Sequence, residues 1–174
     1  EVAAEAGIQP IIGCQVDLAY DSTAPGEKIR LPAPVVLLAQ NERGYKNLLM
    51  LNSHLYLNSK GELPQVQIPE LLAHTEGVIC LTGGSDGPLG RLLQAGQLAK
   101  AQSLAIKLAR GFGDRLYVEL QRHPSEDGVV PDAERLSERG LVELAYSMDL
   151  PLVATNDVYF DQTKMYEAHD ALIC

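Results

Sequence analysis

Three polar residues, Thr155, Asn156 and Asp157, follow directly on the apolar run LPLVA (150–154), and Tyr159 stands two places further on. A carboxylate delivered at the end of a buried-looking strand is an arrangement that can hold a divalent cation. Gln15 in IIGCQVDL, His123 at the close of RLYVELQRH, and Gly83–Gly84 at the close of GVICLTGG occupy comparable positions. Each also has a local reading. Asp157 can cap a helix or hold a turn through side-chain to backbone bonds, and His123 can be a hydrogen-bonded structural residue. Gly83–Gly84 followed by SDG could cradle a phosphate ahead of a helix. No lysine or Walker spacing accompanies the pair, so a tight turn suffices. His54 and His74, on or near helical stretches, are expected to face solvent, and His169 in EAHD is expected to pack or cap.

The elements that must position these residues alternate. EVAAEAG reads as the end of a helix closed by Gly7, and IQPIIGCQVDLAY as a strand. Pro25, Pro32 and Pro34 punctuate a loop over 21–34, VVLLAQ (35–40) is a strand, and Asn41 is placed to cap a helix with Leu48, Met50, Leu51 and Leu55 inward. A short helix starts near Pro69, and GVICLTGG (77–84) is the next strand. Ala101, Leu104, Ala105, Leu108 and Phe112 then recur at three- and four-residue spacing, the mark of an amphipathic helix. In RLYVELQRH, Tyr117, Glu119 and Gln121 share one side and Leu116, Val118 and Leu120 the other. A helix follows, with Pro131 near its first turn and Leu141, Leu144, Ala145 and Met148 inward; PLVAT is the last strand and TKMYEAHDALIC the last helix. Strands alternating with helices imply an α/β fold with parallel pairing and right-handed crossovers. Such sheets carry their chemistry at the carboxyl ends of the strands, which is where the polar residues above fall.

With 174 residues, 46% of them hydrophobic and 21% charged, the chain fits one globular domain with its own core. A net charge of −9 is the wrong sign for neutralising phosphates, so this surface is not expected to grip DNA. Cys14, Cys80 and Cys174 show no C-x-x-C pairing and read as free thiols of a reducing compartment. No signal peptide or long apolar run appears, which makes a cytoplasmic location the expectation, without a membrane. The ends, EVAAEAG and AHDALIC, look like helices cut mid-element and suggest a portion of a longer polypeptide.

Six strings in order, AGIQPIIGCQVDL, LLAQNERGYKNLLMLNS, EGVICLTGG, GDRLYVELQRH, LPLVATNDVYF and EAHDALIC, resemble the PHP (polymerase and histidinol phosphatase) domain of the bacterial replicative DNA polymerase III alpha subunit. The resemblance runs almost end to end. It implies that residues 1–174 are part of a distorted TIM-like β/α barrel of seven units with mostly parallel strands, lacking the first strands and the downstream polymerase domains. For the parent it implies DNA-directed DNA synthesis with Mg²⁺, through domains outside this acidic segment. The implied partners are the proofreading exonuclease subunit and other subunits of the polymerase holoenzyme.

Active members of that family hold two or three metal ions with His, Asp, Glu and sometimes Cys. The resemblance puts Gln15 where a Glu is usual, Pro34 where a His is usual, Gly84 where a Cys or His is usual, and Tyr159 where a His is usual; only Asp157 keeps a ligand type. Gln offers a neutral carbonyl, Pro and Gly offer no side-chain donor, and a protonated Tyr is a poor substitute for imidazole. A vestigial site and a scaffold or docking role are therefore expected, with no metal, catalytic or cofactor-binding residue. A metal-dependent phosphoesterase, whether phosphatase, pyrophosphatase or 3′–5′ exonuclease, is the alternative. An unclosed barrel would also leave a sheet edge open to self-association.

Overall fold

The computed structural model describes residues 2–20, 31–57, 63–125, 127–159 and 162–173. After a short helix α1 (Val2–Glu5), the order is β1 (Gly13–Ala19), β2 (Ala33–Ala39), α2 (Glu42–Leu57), β3 (Val66–Gln67), α3 (Ile68–Ala73), β4 (Val78–Leu81), α4 (Pro88–Gln94) and α5 (Leu98–Phe112). Then come β5 (Leu116–Leu120), α6 (Asp132–Ser147), β6 (Leu152–Ala154) and α7 (Tyr166–Ile173). The strands form one sheet in the order β3-β1-β2-β4-β5-β6.

Pairing corrects the expectation of crossovers throughout. β2 is antiparallel to both β1 and β4, whereas β1–β3, β4–β5 and β5–β6 are parallel, so β2 alone runs against the other five strands. The intervening sequence 20–32 is short, contains Pro25 and Pro32 and has no helical periodicity, whereas parallel pairing of β1 and β2 requires a long crossover connection. The loop expected over 21–34 lies outside the described residues at 21–30, and its end is reassigned because Pro34 belongs to β2. Pro34 is tolerated there because the ladder with β4 begins only at Val36, so its missing N–H forfeits no bond on that side. Among the described residues the sheet is open, with β3 and β6 as its edges.

One face of the sheet is the core. Val16, Leu18, Val35, Leu37, Cys80, Leu116 and Val118 join the inward residues of α2, α4, α5 and α6 in a single apolar cluster. All five residues expected inward on α5 are buried, as are Leu48, Leu51 and Leu55 of α2. Met50 is not, being 49% exposed, because it sits about 200° around the helix from Leu48. In α6, Leu141, Leu144 and Ala145 are buried and Met148 half-buried.

The N-x-x-G-Y-x-N-L string starting at Asn41 has a structural use. Asn41 Oδ1 accepts the Gly44 N–H at 3.0 Å, capping α2. A Cβ on Gly44 would lie 1.8 Å from the Gly77 carbonyl oxygen, so only glycine permits this approach. Asn47 Nδ2 donates to the Glu76 carbonyl at 2.8 Å. The start of α2 is thereby clamped to the turn leading into β4. Neither α4 nor β3 was expected as a separate element; α4 begins with Pro88 after Gly87, a helix-start signal in the sequence.

Candidate functional site

The second face of the sheet carries the polar residues. Gln15, Val36 and Leu81 lie level across β1, β2 and β4. With Glu119 and Gln121 of the β5 segment and the stretch after β6, they line a cavity of about 300 Å³ at the strand ends. Pro34, Gly83, Asp86, Thr155, Asn156, Asp157 and Tyr159 complete its wall. Four of the five positions singled out from the sequence, Gln15, Pro34, Asp157 and Tyr159, thus converge on one cavity from three strands and their tips. Gly84 stands beside it, with Gly83 forming the wall in its place.

The geometry at Gly84 explains why that position carries no donor. Its φ is +56°, a conformation L side chains rarely adopt, and a Cβ there would come within 2.8 Å of Gln121 Oε1. A residue with a Cβ at 84 would have to displace the end of the Gln121 side chain.

The centre of the wall is Glu119, 2% exposed. Its Oε2 accepts the Gly83 N–H at 2.8 Å, and its Oε1 accepts a short bond from the Thr155 hydroxyl and a longer one, 3.4 Å, from Gln121 Nε2. The Glu119 N–H in turn donates to Thr82 Oγ1 at 3.0 Å. This carboxylate joins the tips of β4, β5 and β6 by hydrogen bonds and has no cationic partner among the described residues. Its field and burial, burial being the larger cause, push the Cys80 thiol up to about 12. The sequence placed Glu119 on the side of Gln121 but gave it no role; the available signal was a lone acid inside an apolar strand.

Asp157 is held locally. Its N–H donates to His123 Nε2 at 3.3 Å, and its charge lies near the Tyr159 phenol. Partial burial, then the adjacent Asp157 charge, raise the Tyr159 pKa, so the phenol keeps its proton at neutral pH. No helix starts on Asp157, and its hydrogen bond to His123 is made by the backbone N–H. His123 is bonded at both ring nitrogens: Nδ1 lies 2.6 Å from Glu134 Oε1, and Nε2 accepts from Asp157, which fixes the proton on Nδ1. Glu134, buried at the start of α6, also accepts the His123 N–H at 2.9 Å. His169 packs its ring on Tyr159 at 5.2 Å.

His54 and His74 correct the expectation that they face solvent. Both are half-buried, and their rings meet at 5.7 Å and 86°. The end of α2 meets the residue after α3, a contact the local sequence does not encode.

Among the described residues, the carboxylates on the wall beyond Glu119 are Asp86 and Asp157, and no Lys, Arg or His lines it. Among the described residues no three His, Cys, Asp or Glu side chains are grouped closely enough to hold a metal ion. Nor is any described helix long and apolar enough to cross a membrane.

An α/β sheet with five co-directional strands and a polar cavity at their ends defines a protein of the kind that binds or reacts at its strand mouths. The chain belongs to the PHP domain family, whose model matches residues 1–123. It is similar to the DNA polymerase III subunit alpha of Caulobacter vibrioides, 48% identical over 174 residues, covering 99% of this chain and 15% of that protein. The subunits of the same name from Rickettsia bellii, 35% identical over 99% of the chain, and Haemophilus influenzae, 36% over 94%, are also similar. The chain spans 13–15% of the length of these relatives.

Proposed function

We propose that residues 1–174 are the PHP unit of a bacterial replicative DNA polymerase alpha subunit and act as a non-catalytic scaffold and docking surface for its proofreading exonuclease. The parent synthesises DNA in the cytoplasm with Mg²⁺ held by other domains. DNA is met there and not on this acidic surface, and other holoenzyme subunits bind the same parent. In this reading the sheet is one wall of a TIM-like barrel completed by further strands. The name the relatives share, DNA polymerase III subunit alpha, supports the replication role.

The observation that carries the non-catalytic part is the donor set of the mouth. Gln15 and Tyr159 offer neutral oxygens, Pro34 offers none, and Gly84 has no side chain and a backbone conformation that strains any L residue put there. Asp157 is the one anionic side chain among those five positions, and Glu119 is spent on three hydrogen bonds. Such a set does not fit a centre of two or three metal ions, each of which needs several anionic or imidazole donors. A phosphoesterase would need two such ions to activate water and bear the developing charge.

Two experiments on the full-length parent test this. Phosphatase and 3′–5′ exonuclease assays with added Mn²⁺ are expected to give no activity that Asp157→Ala abolishes; activity dependent on Asp157 would establish the phosphoesterase alternative. Deleting the PHP unit is expected to abolish capture of the exonuclease subunit, and undiminished capture would remove the docking role.

A further inference from the structure

We propose, resting on the docking reading above, that a pocket between the end of β1, the start of α3 and α5, together with the basic face of α5, receives an acidic amphipathic segment of the exonuclease subunit.

The pocket has a volume of about 450 Å³, the size of a ligand-holding cleft. Ala19, Tyr20, Ile68, Pro69 and Leu72 give it an apolar wall, and Lys107 of α5 stands on it. Leu72 also lies against α5 at Gly111, one turn beyond Lys107, so α3 and α5 meet there. Tyr20 is only 9% exposed, yet its hydroxyl has no hydrogen-bond partner among the described residues. A buried phenol normally has one, so the pocket offers an unmet polar group beside its apolar wall.

Charge selects the occupant. The α5 sequence LAKAQSLAIKLARGF holds three cations and no acid, in a chain whose net charge is −9. Lys100, Ser103, Lys107 and Arg110 follow at spacings of three and four, and all four share one exposed side of the helix. Lys107 and Arg110 have no carboxylate partner among the described residues. Glu70, at the start of α3, turns its carboxylate to the Gln67 N–H at 3.1 Å, within its own capping turn. A segment that fills the apolar wall and also meets these cations carries carboxylates beside an apolar anchor, as an amphipathic helix with an acidic rim does.

The test uses the full-length parent, with the purified exonuclease subunit as probe. Its association rate is expected to fall by about tenfold in Lys107→Glu and in Arg110→Glu and to lose part of its salt dependence, because exposed rim charges act mainly on encounter. Arg139→Glu on α6, the same change of net charge at a residue that does not line the pocket, should leave the rate within about twofold. With p-benzoylphenylalanine in place of Ser103, the parent should photo-cross-link to a peptide of the exonuclease that is acidic and bears apolar side chains. Unchanged rates in both charge-reversal variants would overturn the proposal. So would a cross-link confined to the parent's own chain, to a second copy of it, or to a basic exonuclease peptide. Those results leave the docking reading standing, whereas capture that survives deletion of the whole PHP unit removes both. The cross-link is read with both cations in place, so misfolding of a charge-reversal variant cannot mimic it.

Discussion

Replacing Glu119 by Ala should unlock the mouth of the sheet. The carboxylate is 2% exposed and accepts from Gly83, Thr155 and Gln121. Removing it strands the buried Gly83 N–H at about 1–3 kcal/mol and takes the acceptor from the half-buried Thr155 hydroxyl at the low end of that range. The volume of the missing side chain adds to this, for a total of about 3–5 kcal/mol. Not all of that is local, but even about 3 kcal/mol on the opening that exposes the Gly83 amide means roughly a hundredfold faster exchange. Hydrogen exchange followed by mass spectrometry on the full-length protein reads this on peptides covering 80–86 and 152–157, with peptides from α2 as internal control. Glu119→Gln keeps an acceptor for Gly83 but turns an amide toward Thr155 and Gln121, so it should fall between the parent and Glu119→Ala. Unchanged protection of Gly83 in Glu119→Ala would refute the idea that this carboxylate ties the strand tips together.

Further consequences follow from other contacts. Cys80, pushed up to about 12 by burial and Glu119, should resist iodoacetamide at pH 8 in the folded protein, while half-buried Cys14, also raised by burial, should react slowly but measurably. Asn41→Ala should cost about 1 kcal/mol through the lost helix cap. Gly44→Ala should cost more than about 3 kcal/mol because its Cβ meets the Gly77 carbonyl; denaturant midpoints of the two variants test the order. The Arg122 guanidinium, through a two-pronged contact, holds Glu138 below the usual carboxylate range. A depressed folded pKa stabilises the fold above the unfolded value and is lost as pH falls through the folded one. Glu138→Gln should therefore lower the denaturation midpoint slightly at pH 6–7, and the difference should vanish toward the acid end of the titration.

Much of this was readable from residue order because local chemistry dictated it. The α5 periodicity puts Ala101, Leu104, Ala105, Leu108 and Phe112 into the core, and Asn41 announces its cap. Strand ends rich in polar residues indicated the mouth, and Gln15, Pro34, Asp157 and Tyr159 do line one cavity. What stayed hidden depends on pairing between distant segments. The reversal of β2 is fixed by its partners β1 and β4, and nothing inside VVLLA distinguishes the two directions. Glu119 becomes a hub only once Gly83 and Thr155 arrive from neighbouring strands. His54 meets His74 only when α2 and α3 share one side of the fold.

The central claim is that the strand mouth lacks the donors to hold divalent cations. Anomalous diffraction from crystals of the full-length protein grown with Mn²⁺ and Zn²⁺ tests it at atomic positions. The account predicts no ordered ion among Gln15, Asp157 and Tyr159. A full-occupancy anomalous peak bonded to Asp157 within that cavity would contradict it.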